Sequence, residues 1–230
     1  MEELPGRLRA AFADPEAADR ARDALAPDAA IDRFDDTHGL DAARDLLTVE
    51  YAGRFAVHPP WLDPPAGHQP IAIDPGHAFG SGSHPSTRLA LELLGEESPS
   101  PLAVFDIGCG TGVLAIAAAV LGAHVIAVDI DPAAIAATRA NADRNRVADR
   151  VDVIAGSADL AVAPVDLVTV NVTIDIHERI APTLPTAHRR LVVAGILGEE
   201  QLHRCATAYG AAIERSLAQE GWMAAVLTRP

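Results

Sequence analysis

The 230-residue chain contains no lysine, few aromatic residues and no long hydrophobic run, and it has two cysteines. Cys109 and Cys205 are too few for a disulfide framework and lack the close spacing of zinc ligands, so we expect reduced thiols and no metal site. No apolar run is long enough for a transmembrane helix, and the N-terminal sequence MEELPGRLRA lacks the apolar centre of a signal peptide. These absences predict a cytoplasmic protein that does not bind membranes.

Charge is distributed unevenly, because 32 acidic residues face 18 basic ones and all of the basic ones are arginine. The formal net charge of −14 predicts repulsion of free nucleic acid and favours a basic partner. The alternative is that the acidity only keeps the protein in solution. Apolar residues make up 49% of the chain, which is typical of a folded protein with one good core and a small appendage.

The most informative stretch is Val104–Asp131, which reads VFDIGCGTGVLAIAAAVLGAHVIAVDID. An apolar strand leads through a glycine turn into the alanine-rich helix Val113–Leu121, and a second apolar strand ends at Asp129. Such a unit presents backbone N–H groups at a helix start and a carboxylate that accepts from two ribose hydroxyls. The pattern therefore indicates a site for an adenosine-containing ligand. An ordinary strand–helix turn of a parallel sheet is the alternative.

The spacing of the glycines distinguishes between adenosine ligands. A dinucleotide fingerprint requires glycine at the sixth position counted from Gly108, where this chain has Val113. The third glycine instead comes one residue earlier, at Gly112. This D-x-G-x-G-x-G pattern resembles class I S-adenosylmethionine-dependent methyltransferases, and it disfavours a nicotinamide oxidoreductase.

A second stretch, Asp74–Leu94, reads DPGHAFGSGSHPSTRLALELL. Its glycine-rich loop ends at His84-Pro85, where an amphipathic helix begins. A loop of this kind can wrap a small ligand, although an ordinary connector has the same composition.

The segment DPGHAFGSGSHPST resembles the signature of the ribosomal protein L-eleven methyltransferase (PrmA-type) family. The resemblance continues through the glycine turn, VDIDPAAIAATRANADRNRV, DLVTVNVTIDIHERIAPTL and the AGIL of Ala194–Leu197. It implies methylation of lysine and N-terminal amino groups on a ribosomal protein, with S-adenosylmethionine as cofactor and S-adenosylhomocysteine as product. Two features depart from the family: the region before Leu46 is shorter than a recognition domain, and Val172-Thr173 follow the motif asparagine.

The resemblance also implies the site residues. Asn171 is the candidate catalytic residue that orients the acceptor amine, with His84 as a candidate base. His84 has the alternative role of capping the helix or ordering the loop. Phe79 and Trp222 are candidate aromatic walls, or core residues. The predicted cofactor-binding residues are Phe79, Thr87, Asp106, Gly108, Gly110, Asp129, Ile130, Ala158 and Asn171. Asp159, beside Ala158, lies where such methyltransferases hold the adenine amino group, and an ordinary surface acid is the alternative.

The remaining pattern predicts an α/β fold, a doubly wound Rossmann-like methyltransferase sheet of seven strands whose last strand is antiparallel. The last two strands are expected as a hairpin over Ala212–Leu217 and Trp222–Thr228. Residues 46–230 are predicted as the methyltransferase domain. Residues 1–45 are predicted as a short helical extension, a reduced recognition region with helices at Leu4–Ala13 and Pro15–Leu25.

The predicted function is an S-adenosylmethionine-dependent N-methyltransferase for protein amino groups. A sulfonium methyl is already activated, so this chemistry needs no metal and no covalent intermediate. Three alternatives stay open at this point. The same fold could methylate another protein or a small amine, it could bind the cofactor without turnover, or it could bind a nicotinamide.

Overall fold

A computed structural model describes residues 2–4, 7–9, 47–64, 66–75, 80, 82–97, 103–160 and 163–230. The chain divides into two compact units, residues 1–46 and 47–230. In the first unit, strands β1 (Glu2–Leu4) and β2 (Arg7–Arg9) pair antiparallel. The prediction of a helix over Leu4–Ala13 is therefore wrong at Arg7–Arg9, because the intervening Pro-Gly dipeptide favours a turn over a continuing helix. The helix predicted at Pro15–Leu25 lies outside the described residues.

The second unit begins with a small sheet of three strands, β3 (Glu50–Ala52), β4 (Phe55–His58) and β5 (Gln69–Ala72). The β-branched and aromatic residues of Leu46–Val57 predict a strand or hairpin, and this stretch contains the β3–β4 hairpin. The proline-rich stretch His58–Pro70 predicts a connector, but its last two residues, Gln69 and Pro70, belong to β5. Proline is tolerated there since β5 lies at the edge of this sheet, where one side of the strand needs no ladder partner.

The main sheet and its helices occupy the rest of this unit. In chain order the elements are α1 (Pro85–Glu96), β6 (Ala103–Ile107), α2 (Val113–Val120), β7 (His124–Asp129), α3 (Pro132–Arg144), β8 (Val151–Ala155), β9 (Leu167–Asn171), α4 (Ile174–Ile180), β10 (Arg190–Leu197), α5 (Gly198–Tyr209), β11 (Ala212–Gln219) and β12 (Trp222–Thr228). The sheet order is β11-β12-β10-β9-β6-β7-β8, and β12 alone runs antiparallel to its neighbours β10 and β11. The predicted seven-stranded α/β sheet with an antiparallel last strand is confirmed.

Helix boundaries follow local signals in the sequence. Proline occupies the first turn of both α1 and α3. The side chain of Asp131 caps α3 by accepting a hydrogen bond from the backbone N–H of Ala133 at 2.8 Å. α5 ends at Gly210, whose backbone is left-handed.

Two hydrophobic layers cover the two faces of the sheet. Successive strand residues point to opposite faces, so Val104 packs in the layer of α1 and α2 while Phe105 packs in the layer of α4 and α5. Burial on both faces explains why the central strands are almost entirely apolar. It also leaves the strand ends as the places where polar residues meet. Among the described residues, no helix combines the length and apolar character needed to cross a bilayer.

Candidate functional site

A cleft of about 700 Å³ opens at the carboxyl ends of the central parallel strands β6, β7, β8 and β9. Open parallel sheets bind ligands at this edge, because the loops that follow the strands diverge there. Of the predicted site residues, those that line the cleft are His84, Thr87, Asp106, Gly108, Gly110, Asp129, Ile130 and Asn171. Trp222, a candidate aromatic wall, also lines it.

The glycine turn after β6 is bound to the end of β7. The backbone N–H groups of Gly108 and Cys109 donate to the carbonyl oxygen of Val128 at 2.9 and 3.0 Å. Gly108 has a φ of 73°, and a Cβ atom there would lie 3.0 Å from Cγ1 of Val172. Glycine at this position therefore keeps the floor of the cleft open while two loops pack closely.

The carboxylate of Asp129 is held in place by two backbone donors. Its Oδ2 accepts from the N–H of Gly110 and its Oδ1 accepts from the N–H of Asp131, each at 3.0 Å. A carboxylate oxygen can accept more than one hydrogen bond, so the oriented group retains acceptor capacity for hydroxyl groups. The neighbouring Ile130 is apolar and 79% exposed, which leaves a hydrophobic side chain uncovered at the same end of the cleft.

Asp106 is the most buried acid of the cleft, with an exposed fraction of 1%. Its Oδ1 accepts from the hydroxyl of Thr169 at 2.6 Å, whereas its Oδ2 has no hydrogen-bond partner in the described part of the chain. Burial raises the pKa of Asp106 to about 6. A buried oxygen without a partner is costly, so this atom is suited to accept from a bound donor such as an ammonium group.

Thr87 and Asn171 meet although they lie 84 residues apart in the chain. The side-chain amide nitrogen of Asn171 donates to Oγ1 of the fully buried Thr87 at 3.2 Å. Because this contact uses the nitrogen of the amide, its oxygen is the group available to accept a hydrogen bond in the cleft. The structure thus joins the start of α1 to the end of β9.

His84 caps α1. Its Nδ1 accepts from the backbone N–H of Ser86 at 3.3 Å and lies 2.7 Å from the Ser86 hydroxyl oxygen. The imidazole meets the ring of Trp222 edge-on, with the ring centroids 4.6 Å apart. Burial, followed by the charge of Arg88, lowers the pKa of His84, so the ring is neutral at pH 7. The capping role is confirmed, and the catalytic role stays a prediction.

Other predicted residues stand apart from this group. Ala158 is fully buried in the layer of α4 and α5 and does not line the cleft, although Gly156 and Ser157 of the same loop do. Asp159 is exposed, and it is likewise not one of the lining residues. Phe79 lies outside the described residues. Over the described ranges, no group of three or more His, Cys, Asp or Glu side chains is placed to hold a metal ion.

Two loops around the cleft are tied together by contacts that the sequence pattern did not indicate. The hydroxyl of Thr111, in the glycine turn, donates to the carbonyl oxygen of Gly80 at 2.7 Å. From α3, the buried Asn141 donates to the carbonyl oxygens of Asp74 and Thr111 at 3.1 and 3.0 Å. The loop before α1 is therefore fastened next to the glycine turn.

Several lining residues were missed by the sequence reasoning. They come from the segment after β9 and from β10: Val172, Thr173, Ile176, Arg179, Ile180 and Gly195. The AGIL motif at Ala194–Leu197 was a signal for Gly195. The helical residues of α4 have no comparable signal, since apolar residues in a helix are usually part of the core.

Comparison with known proteins shows that the chain is similar to ribosomal protein L11 methyltransferases. The family model described as "Ribosomal protein L11 methyltransferase (PrmA)" matches residues 26–230. The chain is 43% identical over 160 residues to the ribosomal protein L11 methyltransferase of Methylococcus capsulatus, covering 66% of this chain and 54% of that protein. It is 40% identical over 181 residues to that of Cupriavidus metallidurans, covering 76% and 58%.

The solved structures agree with the sequence comparison. The crystal structure of the ribosomal protein L11 methylase of Lactobacillus delbrueckii subsp. bulgaricus matches with a TM-score of 0.68 and 27% identity, covering 79% of this chain and 98% of that one. The chain spans about half the length of the curated relatives it matches, with 54% of the Methylococcus protein covered.

Proposed function

The chain belongs to the ribosomal protein L11 methyltransferase (PrmA) family, and from this we propose that it is an S-adenosylmethionine-dependent N-methyltransferase for amino groups, of lysine or of an N-terminus, on a protein. The observation that carries the proposal is the composition of the cleft. It combines a glycine turn and an oriented acid, Asp129, with an asparagine at the end of a neighbouring strand, Asn171. The glycine turn and Asp129 suit an adenosine ligand, and Asn171 suits an amine.

The residues of the cleft fit the cofactor from end to end. Asp129 would accept from the ribose hydroxyls, and the exposed Ile130 would offer an apolar contact to the adenine. Gly108 and Gly110 allow close approach of the backbone to the amino-acid portion, and Thr87 closes that end. We assign Asp106, the buried acid among the lining residues, to the ammonium group.

When bound, the cofactor would supply an activated methyl group: attack of the amine lone pair on the methyl carbon would form the C–N bond as the C–S bond breaks, and the sulfur would leave with the bonding electrons as S-adenosylhomocysteine. The role of the protein is then mainly to position the acceptor. The side-chain oxygen of Asn171 accepts an N–H from the uncharged amine and turns its lone pair toward the methyl group. Such orientation supplies about 7–11 kcal/mol, so a strong base is not required. We assign to His84, which lines the same cleft, the uptake of the proton released after methyl transfer.

A basic protein is the acceptor that the charge of the chain favours. Asp175 is an exposed acid beside the lining residue Ile176, Glu199 is an exposed acid at the start of α5, and Glu220, which pairs with Arg88, is exposed near Trp222. Together with the net charge of −14, they attract a lysine-rich or arginine-rich surface and repel free nucleic acid and anionic membranes. The relatives are named for a ribosomal protein, L11, and a ribosomal protein is the first candidate here. A cytoplasmic location follows from that choice of substrate.

The proposal is tested by methyl transfer with the purified chain. Labelled S-adenosylmethionine is incubated with purified ribosomal protein, with a mixture of other basic proteins, and with small amines. Label in the ribosomal protein supports the full proposal. Label only in another fraction keeps the methyltransferase and rejects the ribosomal substrate. Calorimetry that detects binding of NAD but not of S-adenosylhomocysteine would contradict the proposed cofactor.

Asp129→Ala provides the matched test of the cofactor site. We expect S-adenosylhomocysteine to bind about 10- to 100-fold more weakly, because the ribose hydroxyls lose a charged acceptor. Asp152→Ala is the control, since Asp152 is an exposed acid on the neighbouring strand β8 and does not line the cleft. Equal affinities for the two variants would contradict the assigned role of Asp129.

A further inference from the structure

Strand β10 departs from regular pairing beside the cleft. Its parallel register with β9 ends at the pair Ala194 and Asn171, and its register with β12 shifts between Val193 and Ile196. Gly195 lies within this irregularity with a φ of 83°, and a Cβ atom there would be 2.3 Å from the carbonyl oxygen of Val172. A glycine is therefore required for the backbone of Val172 to rest against β10.

A buried histidine holds the same point of β10. His177, on α4, is fully buried, and its Nε2 lies 2.9 Å from the carbonyl oxygen of Ala194. Its Nδ1 lies 3.1 Å from the hydroxyl oxygen of Tyr209 on α5. A carbonyl cannot donate, so Nε2 carries the proton, and Nδ1 accepts from the tyrosine. The ring is thus set in one neutral tautomer, and burial lowers its pKa to about 4.

The carbonyl that receives this hydrogen bond also holds the segment after β9. The backbone N–H of Val172 donates to the same Ala194 oxygen at 3.2 Å. Val172 is packed between two glycines of the cleft, with its backbone against Gly195 and its side chain against Gly108. Asn171 immediately precedes it. The position of the Asn171 side chain therefore depends on where the Ala194 carbonyl is held.

We propose that His177 is a positioning residue for methyl transfer, which acts through the Ala194 carbonyl and Val172 to hold Asn171 at the acceptor end of the cleft. The inference rests on the proposed function, because it assigns His177 a role in the step that Asn171 performs. The glycine turn has hydrogen bonds of its own to β7, which do not involve His177. Loss of the histidine contact should therefore affect turnover much more than cofactor affinity.

The experiment compares His177→Phe, which removes both hydrogen bonds at similar volume, with His188→Phe as the matched control. His188 is also buried, with an exposed fraction of 1%, and accepts from the N–H of Val165, but it does not line the cleft. Tyr209→Phe is the milder second variant, since it removes only the donor that sets the tautomer. The readouts are kcat at saturating acceptor, the Kd of S-adenosylhomocysteine, and the NMR signals of the Asn171 side-chain amide.

For His177→Phe we expect kcat to fall about 10- to 100-fold, the Kd to change by less than about threefold, and the Asn171 amide signals to shift. Tyr209→Phe should show a smaller loss of kcat with the same pattern, and it carries the test if His177→Phe does not fold. His188→Phe should leave kcat and the amide signals unchanged. An equal fall of kcat in both histidine variants, or unchanged amide signals in His177→Phe and Tyr209→Phe, would overturn the inference.

The two proposals fail in distinguishable ways. If the wild-type chain binds S-adenosylhomocysteine but methylates no acceptor, the proposed function fails. The Asn171 amide signals then still decide the positioning role, because they require no turnover. Shifted signals in the His177 and Tyr209 variants alone support the contact network, and unchanged signals reject it.

Discussion

At the scale of single residues, two carboxylates of the same cleft have different surroundings. Asp129 accepts from two backbone N–H groups, which orient it while it keeps partial exposure. Asp106 is buried, has one oxygen without a partner, and has its pKa raised to about 6 by that burial. The difference suits the two ends of a zwitterionic nucleoside ligand, since hydroxyls need an oriented acceptor and an ammonium needs a charge in a water-poor place.

The pKa of Asp106 predicts a pH dependence of cofactor binding. Below about pH 6 the free protein takes up a proton on this carboxyl, so the ligand loses its charged partner. We expect the Kd of S-adenosylhomocysteine, measured by calorimetry, to rise as the pH falls from about 7 to about 5. The rise should approach tenfold for each pH unit below the pKa.

The variant Asp106→Asn should bind more weakly at pH 7 and should lack this pH dependence. Asp152→Asn, on β8, should retain it. A wild-type Kd that is constant over the whole range would show that Asp106 does not contact the ammonium group. The same carboxyl affects folding stability in the opposite direction to cofactor binding. Between pH 3.8 and about 6 the folded chain keeps its proton while the unfolded chain has lost it. The contribution of Asp106 to the free energy of unfolding therefore decreases as the pH rises through that range.

At the scale of elements, the C-terminal strand is fastened to two helical segments by one arginine. Arg229 is buried, and its guanidinium donates to the carbonyl oxygens of Tyr209 and Pro185 at 2.8 and 3.0 Å. These carbonyls lie where α5 ends and where the chain leaves α4, and helix ends have unpaired carbonyl groups. The contact therefore holds the end of β12 against both helices that cover this face of the sheet.

We predict that Arg229→Met lowers the free energy of unfolding by about 2–4 kcal/mol, because it leaves several buried carbonyl oxygens without donors. The control is Arg204→Met, which removes an exposed ion pair between α5 and Glu178 of α4. That loss should be below about 1 kcal/mol, since water already solvates both groups. Urea denaturation measures both values, and losses of equal size would contradict the capping role of Arg229.

At the scale of the whole molecule, the acidity of the chain governs how it meets an acceptor. The net charge of −14 produces a negative potential that extends into solution by about one Debye length, which is near 10 Å at 0.1 M salt. Contacts inside the cleft are shielded from salt far more than this outer field. Recognition of a basic protein should therefore depend on ionic strength even where the chemical step does not.

We predict that the KM for a basic protein acceptor rises several-fold between about 0.05 M and about 0.3 M salt while kcat stays constant. The Kd of S-adenosylhomocysteine, followed in parallel by calorimetry, should change little. The double variant Glu199→Gln, Glu200→Gln, which neutralises two exposed acids at the start of α5, should start from a higher KM and show a weaker salt dependence. A salt-independent KM would mean that charge does not guide the acceptor.

Local patterns predicted most of the fold and the cofactor half of the cleft. The glycine turn, Asp129 and the alternation of apolar strands with helices are encoded within short stretches, because backbone conformation and burial periodicity act over a few residues. The same reasoning was wrong at Arg7–Arg9, which pair as a strand with Glu2–Leu4 although a helix was predicted there. It also predicted Ala158 as a cofactor-binding residue, whereas Ala158 is packed in the hydrophobic core.

Tertiary structure alone decided which distant residues meet. Thr87 reaches Asn171 because α1 packs on the sheet beside the strand end that carries the asparagine, and no local pattern specifies that neighbourhood. His177 lies in a stretch that resembles the family, yet its contact with the Ala194 carbonyl depends on the order of β9 and β10 and on the glycine that follows. The sequence by itself determined most of the elements and the glycine turn, whereas packing between elements determined the contact of Asn171 with Thr87, since side-chain contacts across a sheet arise only once its strand order is set.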